Sequence, residues 1–164
     1  MALSKDYIRP YLPHDVHTVV TTKRAAAAAT FTPGTVVVES GGLVVECDLD
    51  TALHGTLPAY ITWTDLANRR DINVYNLDGS QEKMVECFAL DFKADVATSC
   101  FTATPVAGDL IVRSQTAGKL SPVTEAEFAA APYSGNTRLL LGRVEGASHR
   151  GDSGFWACTF GLGR

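Results

Sequence analysis

The sequence contains no block of basic residues. Its 14 lysines and arginines are interspersed with 18 acidic residues, and the formal net charge of the 164-residue chain is −4. Proteins that bind nucleic acid through its phosphates carry clustered positive charge, because phosphate neutralisation supplies much of their affinity. We therefore expect no nucleic-acid partner.

Long apolar runs are also missing. No stretch approaches the about 20 apolar residues that a membrane-spanning helix needs. The first residues, MALSKDYIRPYLP, contain no hydrophobic signal core. We therefore expect neither insertion into a membrane nor export from the cytoplasm.

Metal and cofactor motifs are scarce. The cysteines are widely separated and form no CxxC pair, so we expect small, reduced, buried side chains. His14 and His17 have a spacing that could face a metal from a helix, but Pro13 and β-prone neighbours oppose a helical turn there. The segment AGKL lacks the first glycine and the Ser or Thr of a phosphate-binding loop. The sequence thus predicts no metal site and no cofactor.

Short β-prone segments separated by turns dominate the rest of the chain. TVVVES and LVVECD flank Gly41-Gly42, which predicts a hairpin. One short helix is predicted at TEAEFAAA, where Thr124 and Glu127 form a capping box and Pro132 ends the run. We predict an all-β fold, a small antiparallel β-barrel or sandwich with at most one or two short helices.

The segment EKMVECFALDF alternates between two faces. Val85, Cys87 and Ala89 make one apolar face, because successive strand residues point to opposite sides. Glu86 interrupts the other face, which is otherwise apolar. The same alternation in GFWACTF places Trp156, Cys158 and Phe160 together.

Residues 1–30 differ from this pattern. Pro10 and Pro13 favour an extended chain, and the alanine run at 25–29 is too short to form a stable helix alone. We interpret 1–30 as an extended N-terminal arm and 31–164 as the β-barrel domain. Apolar arm residues are the predicted contacts with a partner: Tyr7, Ile8, Tyr11, Leu12, Val16 and Val19.

The segment RGDSGFW raises the alternative of a trypsin-like serine protease. His54, Asp71 and Ser153 occur in the order of that family's triad, and Gly151–Gly154 spells its Gly-Asp-Ser-Gly motif. Only 11 residues follow Ser153, however, whereas the trypsin-like fold builds its specificity pocket after the serine. We favour a tight turn before the last strand. The RGD letters are interpreted as part of the same exposed turn.

A longer pattern covers residues 59–160. AYITWTDLANRRDI, MVECFALDFKAD, PVAGDLIVRSQTAGKLSPV, LLLGRVEGA and GFWACTF follow one another in order. This order resembles the small β-barrel head proteins of tailed bacteriophages, the capsid decoration or cement class. Those proteins tend to show a Trp-Thr-Asp-like turn, a Gly-Asp-Leu-(Ile/Val)-Val strand, a Gly-Lys-Leu return and a Val-Gly-Arg-Val-like strand. Residues 108–112, 118–120 and 141–144 match the last three.

The resemblance implies a non-catalytic virion protein on the capsid exterior, made in the host cytoplasm. It implies the major capsid protein as partner and a homo-oligomer, dimer or trimer, on the capsid surface. Arg69 and Arg70 form a charged turn, a second predicted contact. The protease (His54, Asp71, Ser153) and a virion module that binds the host surface remain the alternatives.

Overall fold

The structure is a computed structural model, and nearly all of its regular structure is β. It describes residues 8–10, 20–51, 54–63, 73–75, 77–91, 94–147 and 154–161. Within these ranges the chain forms twelve strands and one helix, and no helix there is long and apolar enough to cross a membrane. The elements are β1 (Ile8–Pro10), β2 (Val20–Ala26), β3 (Val36–Ser40), β4 (Leu43–Glu46), β5 (Ala59–Thr62), β6 (Asn73–Tyr75), β7 (Gln81–Ala89), β8 (Ala94–Thr98), β9 (Leu110–Arg113), β10 (Leu120–Val123), α1 (Glu125–Ala129), β11 (Leu140–Ala147) and β12 (Trp156–Phe160). The predicted all-β fold with one short helix is confirmed.

Five strands close into a small barrel. Their order is β2-β4-β3-β5-β7, and an additional pairing of β2 with β7 completes the ring. β7 pairs with β2 along one edge and with β5 and β6 along the other. Closure removes the free edges that an open sheet would leave. The barrel encloses Ala25, Phe31, Val37, Val44, Tyr60, Val85, Cys87 and Ala89.

A second sheet covers one side of the barrel. Its strand order is β1-β8-β12-β11-β9-β10. The larger core lies between the two layers, where Ile61 and Leu90 of the barrel side pack with Val96, Ile111 and Phe160 of the second sheet. The fold is therefore a barrel and a sheet joined by one apolar layer.

The alternation in β7 explains why Glu86 interrupts an apolar face. Cys87 points into the barrel, whereas Phe88 and Leu90 point toward the second sheet. Met84 and Glu86 share the side of Phe88 but are exposed, because the second sheet does not cover that end of β7. Alternation thus identified the faces correctly, and the limit of the second sheet decides which part is buried.

Two local predictions are confirmed by backbone geometry. Gly41 and Gly42 have φ of +62° and +83°, as a two-residue hairpin loop between β3 and β4 requires. Thr124 caps α1, since its Oγ1 accepts from the Glu127 amide at 3.2 Å while the Glu127 carboxylate accepts from the Thr124 amide at 2.7 Å. The helix packs Phe128 against a small outer cluster that includes Leu110.

The described part of residues 1–30 belongs to the two sheets. Val20–Ala26 forms β2 in the barrel, although the sequence assigned it to the arm, and Ile8–Pro10 pairs with β8 at the edge of the second sheet. The other predicted arm contacts, Tyr7, Tyr11, Leu12, Val16 and Val19, lie outside the described residues. The arm predicted over residues 1–30 stays a prediction for the residues outside the described ranges.

Candidate functional site

Most of the predicted contact and catalytic residues lie outside the described part of the chain. This holds for Arg69, Arg70, Asp71 and Ser153. Ile8 is described by its backbone, which faces Thr98 of β8. His54 is therefore the member of the predicted triad whose surroundings can be analysed.

His54 is held by two backbone contacts. Its Nδ1 accepts a hydrogen bond from the Asp48 amide at 3.0 Å, and its own carbonyl accepts from Arg113 Nη1 at 2.7 Å. In a Ser-His-Asp triad, Nδ1–H instead donates to the carboxylate, which leaves Nε2 free to take the serine proton. In neutral His54 the proton sits on Nε2, because the Nδ1 lone pair is already engaged. This arrangement does not suit a general base.

Arg113 is a fully buried cation in the middle of the fold. It lies on β9, its side chain is 0% exposed, and it reaches from the second sheet to the connection between β4 and β5. The Cys47 thiol is a neighbour, where burial raises the pKa of the thiol and the positive charge of Arg113 opposes that rise. Arg113 therefore links the two sheets through the backbone of His54.

Replacing Arg113 tests this link. Arg113→Ala should lower the free energy of unfolding by about 3 kcal/mol, because it leaves the His54 carbonyl unsatisfied and opens a cavity. Arg113→Met keeps much of the volume without a buried charge, so its loss should be smaller. Urea unfolding measures both against Arg138→Ala, an exposed control. Equal stability of the Arg113→Ala and Arg138→Ala proteins would contradict the link.

A lysine on β2 forms an ion pair with a glutamate on β3 and lies over an aromatic ring on β5. Lys23 Nζ lies 2.6 Å from Glu39 Oε2 and 4.8 Å from the centroid of the Tyr60 ring. The hydrogen bond to Glu39 raises the pKa of Lys23. These contacts join β2, β3 and β5, so we assign them to closing the barrel.

The four cysteines are free and buried thiols. Burial raises the pKa of Cys87 to about 12 and raises that of Cys158 as well. A thiol reacts as its thiolate, so these side chains are poor nucleophiles near neutral pH. They serve as the small apolar core residues that the sequence predicted.

The buried thiols should make the protein less stable in alkali. Between pH 9 and the folded pKa of Cys87, about 12, the unfolded chain loses this thiol proton and the folded chain keeps it. The unfolded state then binds fewer protons, so stability is fully present below pH 9 and falls as the pH rises. Urea unfolding at pH 7.5 and 10 should show a loss of roughly 1 kcal/mol from this thiol. In Cys87→Ala the loss should shrink by that amount; an unchanged pH dependence would refute the prediction.

Exposed apolar side chains lie on β7 and on two segments next to it in the fold. Three of these residues are here called the β7 flank: Trp63 follows β5, Leu77 precedes β7, and Met84 lies on β7. Trp63 and Met84 are 39% and 45% exposed. The Trp63 amide donates to the Glu86 carbonyl at 2.7 Å, and its ring meets Phe88 edge-on at 5.6 Å. The indole is therefore fixed in place while part of it faces solvent.

Sequence analysis did not identify the β7 flank as a surface. The one indication in the sequence was Glu86 on an otherwise apolar face of β7. It marks the end of β7 that the second sheet does not cover. The position of Trp63 beside Glu86 depends on the pairing of β5 with β7, and alternation alone does not give strand partners.

The surface clefts in the described part of the chain include the following two. One, about 400 Å³, lies between the segment after β8 and the start of β12 and includes Trp156. The other, about 230 Å³, lies near Gly55 and Leu139. Among the described residues no group of three or more His, Cys, Asp or Glu side chains is placed to hold a metal ion.

Comparison with known proteins gives no family for this chain. No protein-family model, no curated protein and no solved structure matches it. The fold, the β7 flank and the clefts are therefore the basis for inferring what the protein does.

Proposed function

We propose that the protein is a capsid decoration (cement) protein of a tailed bacteriophage. It binds the outer face of the major capsid shell and stabilises it without catalysis, as a homo-oligomer (dimer or trimer) on the capsid exterior. The observation that carries the proposal is the β7 flank, three exposed apolar side chains on or next to a strand of the closed barrel. The resemblance of residues 59–160 to phage head proteins supplies the identity of the partner.

The exposed side chains of the β7 flank include types that protein–protein interfaces favour. Single exposed apolar residues are normal, but neighbouring ones mark sites of association, and Trp63 lies beside Glu86 with Met84 two positions along the same face. Trp and Met are enriched at interface cores, and Trp is a frequent anchor. Because contact with Phe88 already fixes the Trp63 ring, this side chain loses little conformational entropy when the protein docks. Arg69 and Arg70 follow Trp63 by six and seven positions in the sequence and stay predicted contacts.

The remaining predicted arm gives each copy a second attachment. Tyr11 and Leu12 lie in residues 1–19, between prolines that favour an extended chain. Burial of an apolar side chain of this size is worth about 1.5–3 kcal/mol before ordering costs. Two linked contacts on a repeating shell gain avidity, so each can be weak.

The test uses phage particles that contain or lack this protein. Particles without it should release DNA at a lower temperature, and adding the purified full chain should restore the wild-type value. A density map of the restored particle should show the barrel on the shell exterior at repeated positions. Equal thermal stability of both particles, or a location inside the shell or on the tail, would contradict the proposal.

Point variants test which surface binds. Leu77→Ser/Met84→Ser should weaken attachment to depleted particles by about tenfold, as expected for two moderate contacts. Val106→Ser is the matched control, since Val106 is equally apolar and 65% exposed but lies away from β7. Tyr11→Ala/Leu12→Ala tests the arm in the full-length chain. If the flank variant and the control bind alike, the β7 flank is not the docking surface.

The two alternatives have their own signatures. A fluorophosphonate probe that labels Ser153, with loss of labelling in Ser153→Ala, would favour the trypsin-like protease. Binding of the purified protein to host cells, with no effect on capsid stability, would favour the host-surface module. If the protein is a capsid decoration protein, we expect neither labelling of Ser153 nor binding to host cells.

A further inference from the structure

A surface cleft beside β12 is lined mainly by hydroxyl-bearing and aromatic side chains. It has a volume of about 400 Å³ and is lined by Ser99, Phe101, Thr102 and Thr104 after β8, and by Trp156 of β12. Antiparallel pairing of Thr98 with Trp156 brings these segments together, although more than fifty residues separate them in the chain. The volume falls within the range of about 300–1,000 Å³ that small-molecule sites occupy.

The lining residues are hydroxyl-bearing, aromatic or small. Among the described residues that line it there is no aspartate, glutamate, lysine or arginine. Ser99 Oγ is buried and has no hydrogen-bond partner among the described residues. A buried hydroxyl without a partner costs free energy, and rotation of the Ser99 side chain toward the cleft would let a ligand supply the partner.

The aromatic and hydroxyl groups are held in place by the fold. Trp156 is half-buried and packs against the main core, so its ring position is set before any ligand arrives. Thr102 Oγ1 lies 3.3 Å from Ser121 Oγ on β10, and the Thr102 amide donates to the Leu120 carbonyl at 2.9 Å. A site that is ordered in advance loses less entropy on binding.

We propose that this cleft binds a neutral oligosaccharide. A sugar ring presents an apolar C–H face that packs against Trp156 or Phe101, and hydroxyls that both donate to and accept from Ser99, Thr102 and Thr104. A phosphate or carboxylate ligand would lose its hydration with no cation among the described lining residues to compensate. The inference stands on the cleft alone and does not depend on the proposed function.

The test is titration of the full-length, isotope-labelled protein with defined sugars. The neutral probes are maltotriose, cellotriose, mannotriose, lacto-N-triose and triacetylchitotriose, and 6′-sialyllactose is the charged comparison. At least one neutral probe should shift the amide signals of residues 99–104 and 154–156 and bind with Kd of about 1 mM. No shift from any neutral probe at about 10 mM, or shifts located elsewhere, would overturn the proposal. So would tighter binding of 6′-sialyllactose than of every neutral probe.

Variants of the lining residues test whether the sugar binds in the cleft. Ser99→Ala and Thr104→Val should each weaken binding by about fivefold, because each removes one hydroxyl from the cleft. Trp156→Leu keeps an apolar side chain against the core and should weaken binding by at least about tenfold through loss of the ring. Thr137→Val, an exposed threonine outside the lining, should leave Kd unchanged. Unchanged affinity in all three cleft variants would refute the site.

Discussion

A chain that begins at Phe31 is expected to be unfolded, whereas a chain that begins at Val20 is expected to fold. The difference between them is β2, which pairs with β7 along its whole length, from Val20 opposite Phe88 to Ala26 opposite Glu82. β2 also pairs with β4 and so closes the barrel. Its removal would open the barrel along two strands.

The energetic cost of losing β2 is large compared with the stability of a domain. Removal of β2 would turn the paired edges of β7 and β4 into open edges, and each ladder hydrogen bond exchanged for one to water costs about 0.5–1.5 kcal/mol. Ala25, which is fully buried, and the contacts of Lys23 with Glu39 and Tyr60 would also be lost. Together with the exposure of the barrel interior, these losses are comparable with the 5–15 kcal/mol that stabilises a typical domain.

Circular dichroism and urea unfolding of the two truncated chains test this expectation. The chain from Val20 loses β1, a three-residue edge strand, so it should keep a cooperative transition. The chain from Phe31 should show none. A cooperative transition in the shorter chain would mean that β2 is dispensable and that the whole of residues 1–30 is an arm, as the sequence suggested.

Local features of the fold could be predicted from the sequence because their causes are local. The Gly41-Gly42 hairpin needs two residues with positive φ, and the capping box of α1 needs Thr124 and Glu127 three positions apart. Alternation gave the faces of β7 and β12 for the same reason. Each depends on side chains within a few positions of one another.

Strand partners and sites could not be predicted, because they depend on residues far apart in the chain. β2 has the sequence VTTKRAA, whose second half favours neither a strand nor burial, and β7 and β4 impose its conformation. The proposed sugar cleft forms because β8 lies beside β12. The tautomer of His54 is fixed by a backbone amide of Asp48, a contact that no motif records.

Gly142→Ala should be the most damaging single substitution of those considered. Gly142 lies on β11 opposite Phe160 of β12. A Cβ there would stand 2.2 Å from the Thr159 carbonyl oxygen and 3.0 Å from the Phe160 Cα. Both are backbone atoms, so no side-chain rotation can relieve the contact. β12 would have to move away from β11 and disturb the core layer that Phe160 shares with the barrel.

The expected loss for Gly142→Ala is about 3 kcal/mol or more in the free energy of unfolding, at the upper end of overpacking effects. Gly55→Ala is the control, since its added Cβ would meet the end of the Leu139 side chain at 3.2 Å, a group that can shift. That control should lose less than about 1 kcal/mol. Because both variants add one methyl group, urea unfolding of the pair isolates the strand contact. Equal losses would show that β11 and β12 can separate freely at this point, and the close approach at Gly142 would then be no constraint on the second sheet.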